Sequence, residues 1–300
     1  EEKINEKVEE NVANMKVDDT VKVQKLKKKS EIKELSDFKN KKSQKELSET
    51  YTLYLNKQVT IQSYPIEIIP TRAQMVDWLI FLCHNLSFRQ ETLFRAISIF
   101  DLYLSKSENE IVFSIYELKL SAIACLSLST KIEEINCNFV QFLSDNVLNG
   151  GNEVIYTTKD LTKKEIEILQ KLNFNTNQST AYQFLNVFQQ ICFNFLGEET
   201  AKINWILTMS ENYLALVVKN ENSIFIPPCE MAMTAINQTL FQLVYNFPNE
   251  NIAFNNGIVC TVISQIQKIR NTCLSKNSTY RREINSMNNT NKYFQAVCNF

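Results

Sequence analysis

The chain has 300 residues, of which 44% are hydrophobic, and its 32 basic and 33 acidic residues leave a formal net charge of -1. Such a chain can bury more than one core, because single cores stop growing near about 250 residues, and its balanced charge offers no general attraction for nucleic acid or an anionic membrane. Four glycines and five prolines beside 19 phenylalanines argue against an all-β sandwich and against an enzyme with a glycine-rich nucleotide loop, and favour long helices in two domains.

Residues 1–46 form a charged segment that lacks glycine, proline and a sustained apolar face. Such a segment buries too little surface to offset its ordering entropy, so it is predicted to be a disordered tail or a transient helix. The basic run at residues 25–29 is typical either of a nuclear import signal or of a solvated charge cluster, and the cluster is favoured. Since the sequence begins with Glu1 rather than methionine, an upstream segment is expected.

The next segment, residues 47–70, is predicted to be a docking helix followed by an extended linker that contains Pro65 and Pro70. Its apolar positions have the spacing of one stripe of a short helix. They are Leu47, Tyr51, Tyr54 and Leu55.

Residues 71–175 are predicted to form a first five-helix domain. Capping patterns mark two of its helix starts, Ser114 with Glu117 and Thr157 with Asp160. The helix that follows Ser114 is apolar on nearly all sides, which predicts a buried central position. The five predicted helices lie near Arg72–Leu86, Gln90–Leu104, Ser114–Thr130, Asn138–Leu148 and Thr157–Leu172.

Residues 176–275 are predicted to form a second helical domain, followed by a C-terminal tail at 276–300. Pro228 stands where a helix begins and its missing N–H costs nothing. No residue-level repeat relates the two domains, so any symmetry between them lies in the fold. The predicted helices lie near Thr180–Phe195, Glu199–Val217, Pro228–Tyr245 and Gly257–Thr272.

The eight cysteines are scattered, lie mostly in apolar runs and never form a C-x-x-C pair. This pattern favours buried reduced thiols over a disulfide or zinc framework, and it indicates the nucleus or the cytoplasm. No apolar stretch approaches the ~20 residues that a membrane-spanning helix needs, and no secretory signal is visible at the start.

Two charged residues do not fit a simple helical core. Lys131 ends the central helix beside the apolar Ile132, where it is either a favourable C-terminal charge or a surface contact. Glu165 falls on the apolar stripe of the helix near Thr157–Leu172, where a carboxylate is rarely buried unless it is paired. An ion pair facing the core and a contact facing a partner both remain open for Glu165.

The first helix of the first domain carries two aromatic residues away from its core stripe, Trp78 and Phe81. Adjacent exposed aromatics indicate a contact groove. The alternative is that another helix of the same chain covers them.

Enzyme signatures are not found: the sequence has no phosphate-binding loop, no dinucleotide fingerprint, no nucleophile elbow, no zinc-protease motif and no Cys/His metal cluster. The chain is therefore predicted to be non-catalytic, without a metal or cofactor.

Five ordered motifs resemble the cyclin box, as it occurs in mitotic and S-phase A- and B-type cyclins. The sequence from Thr71 to Leu79 is similar to M-R-A-I-L-V-D-W-L, and Gln90–Leu93 is similar to N-E-T-L. The remaining matches are Phe100–Ser105 with I-D-R-F-L-S, Ser129–Ile135 with A-S-K-x-E-E-I, and Glu165 with Leu169–Phe174 for the motif that closes the box. Weaker resemblances, at Tyr182–Leu185 and Lys276–Tyr280, extend into a second box.

The resemblance implies an all-α fold with tandem five-helix cyclin-box domains, an N-terminal docking helix and flexible tails. It implies a regulatory subunit that binds and activates a cyclin-dependent protein kinase in cell-cycle control. In this family, the positions of Lys131 and Glu165 hydrogen-bond the backbone of the kinase's mobile helix, with Ile132 and Leu169 as apolar contacts. Tyr51, Tyr54 and Leu55 would add area to that interface, and Arg72 would pair with Asp101 inside the box.

The resemblance also implies a groove that receives R-x-L substrate or inhibitor peptides. Here the chain departs from the family at Thr71, Gln74 and Met75, and Lys119 stands where a glutamine is usual, whereas Trp78 is retained. The groove is therefore expected to be more polar and more positive, with weaker or altered recognition of basic R-x-L peptides.

Two alternatives stand beside this interpretation. The first is a cyclin-box scaffold or transcription-type module without a kinase, which Lys131 and Glu165 and the lack of a basic DNA-binding face argue against. The second is an all-helical enzyme, for which no catalytic constellation is present. No nucleic-acid or membrane partner is expected.

Overall fold

The computed structural model describes residues 42–107, 114–134, 156–196, 200–246 and 252–276. These ranges contain nine α-helices and no β-strand, so the all-α class predicted from the sequence is confirmed. The helices are α1 (Gln44–Lys57), α2 (Ile69–Asn85), α3 (Gln90–Ser105), α4 (Ile115–Glu133), α5 (Thr158–Lys171), α6 (Ala181–Leu196), α7 (Thr200–Lys219), α8 (Pro228–Asn246) and α9 (Ile252–Lys276).

Several predictions fall outside the described residues. They are the helix near Asn138–Leu148, most of the tail at residues 1–46, the basic run at residues 25–29 and the tail after Lys276.

The predicted helix starts follow from local capping. The backbone N–H of Glu117 donates to Ser114 Oγ at 3.2 Å at the start of α4. A reciprocal capping box opens α5, where the Thr157 N–H donates to Asp160 Oδ2 at 2.9 Å and the Asp160 N–H donates to Thr157 Oγ1. These side chains satisfy N–H groups that have no partner inside the helix.

Several helix boundaries differ from the prediction, most of all at α9, which spans Ile252–Lys276 rather than Gly257–Thr272. Two further differences lie in α2 and α4. Helix α2 begins at Ile69 rather than Arg72, because Pro70 occupies its first turn, where a proline costs no hydrogen bond. Helix α4 continues to Glu133 rather than ending at Thr130, and the Glu134 N–H donates to the Thr130 carbonyl at 3.0 Å. Lys131 is therefore in the last helical turn.

The chain divides into two compact units, with residues 63–176 in the first and residues 38–62 and 177–300 in the second. The first unit is built around α4, which packs against α2, α3 and α5. Helix α4 is buried almost continuously from Leu118 to Thr130, as its apolar pattern predicted. Small residues such as Ser121, Ala122 and Ala124 let the surrounding helices approach closely.

The second unit is built around α6, which packs against α1, α7, α8 and α9. Helix α1 belongs to this unit, although the sequence placed it in a separate segment. Its Tyr51 ring is fully buried and lies 5.3 Å from Phe184 and 5.8 Å from Phe188 between ring centroids. On the side of α9, Thr52 Oγ1 donates to Cys273 Sγ at 3.2 Å.

The six described cysteines are free thiols, and five of them are buried. Burial raises the pKa of the Cys192 thiol to about 12, so this group stays protonated and unreactive. The predicted buried, reduced state is confirmed for these five, whereas Cys260 is exposed on α9. Within the described ranges, no helix combines the length and the apolar character that crossing a bilayer requires.

Candidate functional site

Lys131 and Glu165 form an ion pair between the end of α4 and the middle of α5. Lys131 Nζ lies 2.7 Å from Glu165 Oε1 and 2.6 Å from Oε2, so one ammonium group serves both carboxylate oxygens. The Glu165 side chain is 9% exposed and that of Lys131 is 52% exposed. The pair therefore has a carboxylate set into the protein and an ammonium group at the surface.

This geometry explains why Glu165 can occupy an apolar stripe. Leu161 and Ile168, which flank it on the same face of α5, are buried in the first unit. A buried carboxylate is stable only when it is paired or hydrogen-bonded, and α4 brings Lys131 to it because the two helices pack together.

Large apolar residues lie close to Lys131 and Glu165 in the sequence. Ile132 follows Lys131 directly and is 49% exposed. Leu169 lies one turn after Glu165 on α5 and is half-buried, and Phe174 follows the end of α5 with 70% of its surface exposed. We call Lys131, Ile132, Glu165, Leu169 and Phe174 the α4–α5 surface.

Phe174 has an unusual backbone conformation. Its φ is 57°, in the left-handed region, and that of Asn173 is 51°. The Phe174 N–H donates to the Leu169 carbonyl at 2.7 Å, which ends α5 with two left-handed residues. A bulky aromatic residue rarely takes this conformation. Sequence reasoning placed Phe174 in the motif that closes the box but assigned it no contact, although an aromatic residue placed just past a helix end was a visible signal.

The two acidic residues after Ile132 turn inward. Glu133 accepts from Arg95 Nε, and its carbonyl accepts from Arg89. Glu134 Oε1 accepts from the Arg89 backbone N–H at 2.9 Å and from Thr92 Oγ1 at 2.5 Å. Glu134 therefore caps the start of α3, where a negative charge is favourable, and Lys131 is left as the charged group of this turn that faces solvent.

Arg72 and Asp101 form a bidentate ion pair between α2 and α3. Arg72 Nε donates to Oδ1 at 2.9 Å and the terminal nitrogen donates to Oδ2 at 2.7 Å. Burial disfavours the charge of Arg72, but the Asp101 carboxylate more than offsets this effect and raises the pKa of the guanidinium above its ordinary value. The pair lies inside the first unit, so its role there is structural.

A second buried cation, Lys164, lies on α5 next to Glu165. Its Nζ is 2.9 Å from Glu117 and 2.8 Å from Glu167, and it lies over the ring of Tyr103. Burial opposes its charge, but these carboxylates hold the pKa of Lys164 above its ordinary value. Lys164 thus has its own partners, distinct from the pair of Lys131 with Glu165.

The structure corrects the predicted contacts of the docking helix. Tyr51 and Leu55 are buried in the second unit by their packing against other helices of this chain, so they offer no surface to a kinase. Tyr54 is half-buried, with its ring 5.7 Å from that of Phe184. A kinase contact on α1 therefore remains a prediction for Tyr54 alone.

The predicted peptide groove is only partly at the surface. Gln74 is exposed, and Trp78 and Lys119 are half-buried. Phe81 is 38% exposed, so this part of the aromatic face of α2 is open. Met75 is buried in the core because it falls on the inner stripe of α2, which removes it from the predicted lining. In the part of the chain that the structure describes, no cluster of histidine, cysteine and acidic residues could hold a metal ion.

Among known families, the cyclin N-terminal domain matches residues 37–177 of this chain. The chain is 32% identical over 144 residues to a putative cyclin-F3-1 of Oryza sativa subsp. japonica, covering 48% of this chain and 34% of that protein. It is 28% identical over 151 residues to the G1/S-specific cyclin-E1 of Danio rerio, covering 50% of this chain and 34% of that protein. The G2/mitotic-specific cyclin-B3 of Mus musculus is 34% identical over 114 residues, which are 38% of this chain and 8% of that protein.

Among solved structures, a viral cyclin from herpesvirus saimiri aligns with a TM-score of 0.50 and 18% sequence identity. The alignment covers 74% of this chain and 97% of the viral protein, and at this identity it supports the fold alone. The chain matches about a third of the length of the first two curated relatives.

Proposed function

Since residues 37–177 match the cyclin N-terminal domain, we propose that this chain is a non-catalytic regulatory subunit that binds and activates a cyclin-dependent Ser/Thr protein kinase in cell-cycle control. The proposed type is A- or B-like with two boxes, and the proposed compartment is the nucleus, the cytoplasm or both. The observation that carries the proposal is the pair of Lys131 with Glu165, in which an exposed ammonium group is bonded to a carboxylate that is only 9% exposed.

The pair has the chemistry needed to bind a peptide backbone. The Lys131 ammonium can donate to a carbonyl, and the Glu165 carboxylate can accept from an N–H. Within the free chain, each group satisfies the other, so the surface stays ordered without a partner. Charge-assisted bonds of this kind fix the register of an interface.

The apolar residues of the α4–α5 surface would supply most of the buried area. Ile132 and Phe174 are large, exposed and next in the chain to residues fixed by hydrogen bonds. Exposed apolar groups around a charged pair resemble the centre of many binding sites, where a few residues contribute most of the affinity.

Activation would follow from differential binding. A rigid α4–α5 surface that fits only the active position of the kinase's mobile helix raises the population of that state. In the active state, a glutamate of that helix pairs with the lysine that holds the ATP phosphates. The chain would therefore act through shape, without taking part in phosphoryl transfer.

Replacement of Glu165 tests this proposal. We expect Glu165→Ala to weaken binding to a purified cyclin-dependent kinase by about 2 kcal/mol or more, because the interface would then hold an unpaired Lys131. Isothermal titration calorimetry against a panel of such kinases measures the change.

Glu167→Gln is the matched control, since Glu167 lies on the same helix but bonds Lys164 and Tyr103 instead. We expect this variant to bind as the wild type does. Equal affinities of Glu165→Ala and wild type for a kinase that the wild type binds would overturn the assignment. A wild-type chain that binds none of the kinases would favour a scaffold role.

We also propose that the groove around Gln74, Trp78 and Lys119 binds basic R-x-L peptides weakly or binds different peptides. Lys119 adds a positive charge to this groove, and an R-x-L peptide carries an arginine, so the two like charges would repel. Titration with a fluorescent R-x-L peptide should show weak binding for the wild type and tighter binding for Lys119→Gln. Tight binding by the wild type would contradict this proposal.

A further inference from the structure

Arg95 is a buried cation in the middle of α3, and its side chain is 6% exposed. Arg95 is not part of the α4–α5 surface, and it is too deeply buried to contact a partner protein. Its hydrogen bonds nevertheless reach two residues beside that surface, Glu133 next to Ile132 and Thr176 just after Phe174.

The first set of bonds holds the end of α4. Arg95 Nε donates to Glu133 Oε1, and Glu133 is separated from Lys131 by Ile132 alone. The Glu133 side chain is 16% exposed, so the ion pair is largely shielded from water. Because a helical turn moves as a unit, a fixed Glu133 also fixes the directions in which Lys131 and Ile132 point.

The second bond holds the chain after α5. Arg95 Nη1 donates to the Thr176 carbonyl at 3.0 Å, and Thr176 stands two residues after Phe174. Backbone bonds fix the other side of Phe174, where its N–H donates to Leu169 at 2.7 Å. The left-handed residue is therefore tied on both sides.

We propose that Arg95 is a positioning residue. It sets the distance from the side chains of Lys131 and Ile132 to the side chain of Phe174. This proposal rests on the proposed function, because it assigns Arg95 a task in kinase binding. One planar guanidinium can hold two acceptors at a fixed angle, which an ammonium group on a flexible chain cannot do.

Arg95→Lys separates this role from simple stabilisation. A lysine keeps the positive charge beside Glu133 but cannot hold Glu133 and Thr176 together. We expect the variant to fold, and to bind the kinase about tenfold more weakly, because the contact made by Phe174 would be misplaced. Should Arg95→Lys fail to fold, Arg95→Gln, whose amide group cannot reach Glu133 and Thr176 together, takes its place under the same criteria.

A double-mutant cycle of Arg95→Lys with Phe174→Asn, followed by kinase affinity, tests the proposal most directly. If Arg95 positions Phe174, removal of the ring should weaken binding much less in the Arg95→Lys background than in the wild type. Additive effects, or unchanged affinity of Arg95→Lys, would overturn the proposal. Lys164→Gln is the control, because Lys164 is also a buried cation but has other partners; it should lower stability and leave the effect of Phe174→Asn unchanged.

Amide hydrogen exchange gives a readout that needs no kinase. Exchange at Phe174 should be faster in Arg95→Lys than in the wild type, and unchanged in Lys164→Gln. Unchanged exchange at Phe174 in Arg95→Lys would contradict the positioning role even if no kinase binds. If the wild-type chain binds no kinase while Arg95→Lys still exchanges faster at Phe174, the result would count against the proposed function and leave the positioning geometry standing.

Discussion

At the scale of single residues, the features of this chain that point to function are those that cost free energy. Glu165 is a carboxylate on an apolar stripe, and Phe174 is an exposed aromatic residue in the left-handed region. If stability alone mattered, each of these two positions would hold a residue that costs less free energy there. Such local costs occur where a protein binds or reacts.

Phe174→Asn tests this trade-off directly. Asparagine takes the left-handed conformation more easily, so we expect an unfolding free energy equal to that of the wild type or higher by about 1 kcal/mol. Kinase affinity should fall by about tenfold or more, since an exposed aromatic contact is lost. Urea unfolding and calorimetric titration measure the two effects. A variant that is both less stable and equally tight in binding would contradict the assignment.

Residue-scale prediction from the sequence succeeded where the signal was local. Glu165 and Lys131 disturbed the helical pattern, and this disturbance could be read from their neighbours. Arg95 and Glu133 were missed, because a pairing across 38 positions leaves no mark on local periodicity. The left-handed turn at Phe174 was missed because asparagine, rather than glycine, precedes it.

At the scale of helices, the sequence located all nine described helices, eight of them within three residues at each end, because caps and apolar stripes act over a single turn. The short docking helix is among these eight, and its apolar stripe was recognised. The sequence did not predict what this helix packs against, because a stripe of Leu47, Tyr51 and Leu55 suits either other helices of the same chain or a partner protein. In the structure, it covers its own chain.

Tyr51→Ala tests the role of α1. The fully buried ring packs against Phe184 and Phe188, so we expect a loss of about 3–5 kcal/mol in the unfolding free energy of the second unit. Leu53→Ala on the same helix, where the side chain is 50% exposed, should change stability by less than about 0.5 kcal/mol. Denaturant unfolding followed by circular dichroism measures both. Weaker kinase binding by Tyr51→Ala with unchanged stability would instead indicate a direct contact.

At the scale of the whole molecule, the family match covers residues 37–177, and the α4–α5 surface lies within it. The described residues of the second unit form helices joined by short connections. Composition predicted helices and two domains, but it could not predict that α1 groups with the second unit, since that grouping depends on contacts between residues more than 200 positions apart.

The most direct test of the central claim is the activity of a kinase in the presence of the chain. A purified cyclin-dependent kinase that binds the chain is assayed for phosphorylation of a peptide substrate, with and without a saturating concentration of the chain. If the chain selects an active state that is otherwise a minor one, the rate should rise about 100-fold. The Glu165→Ala variant should require a higher concentration for the same effect. A kinase that binds the wild-type chain and is not activated by it would contradict the account.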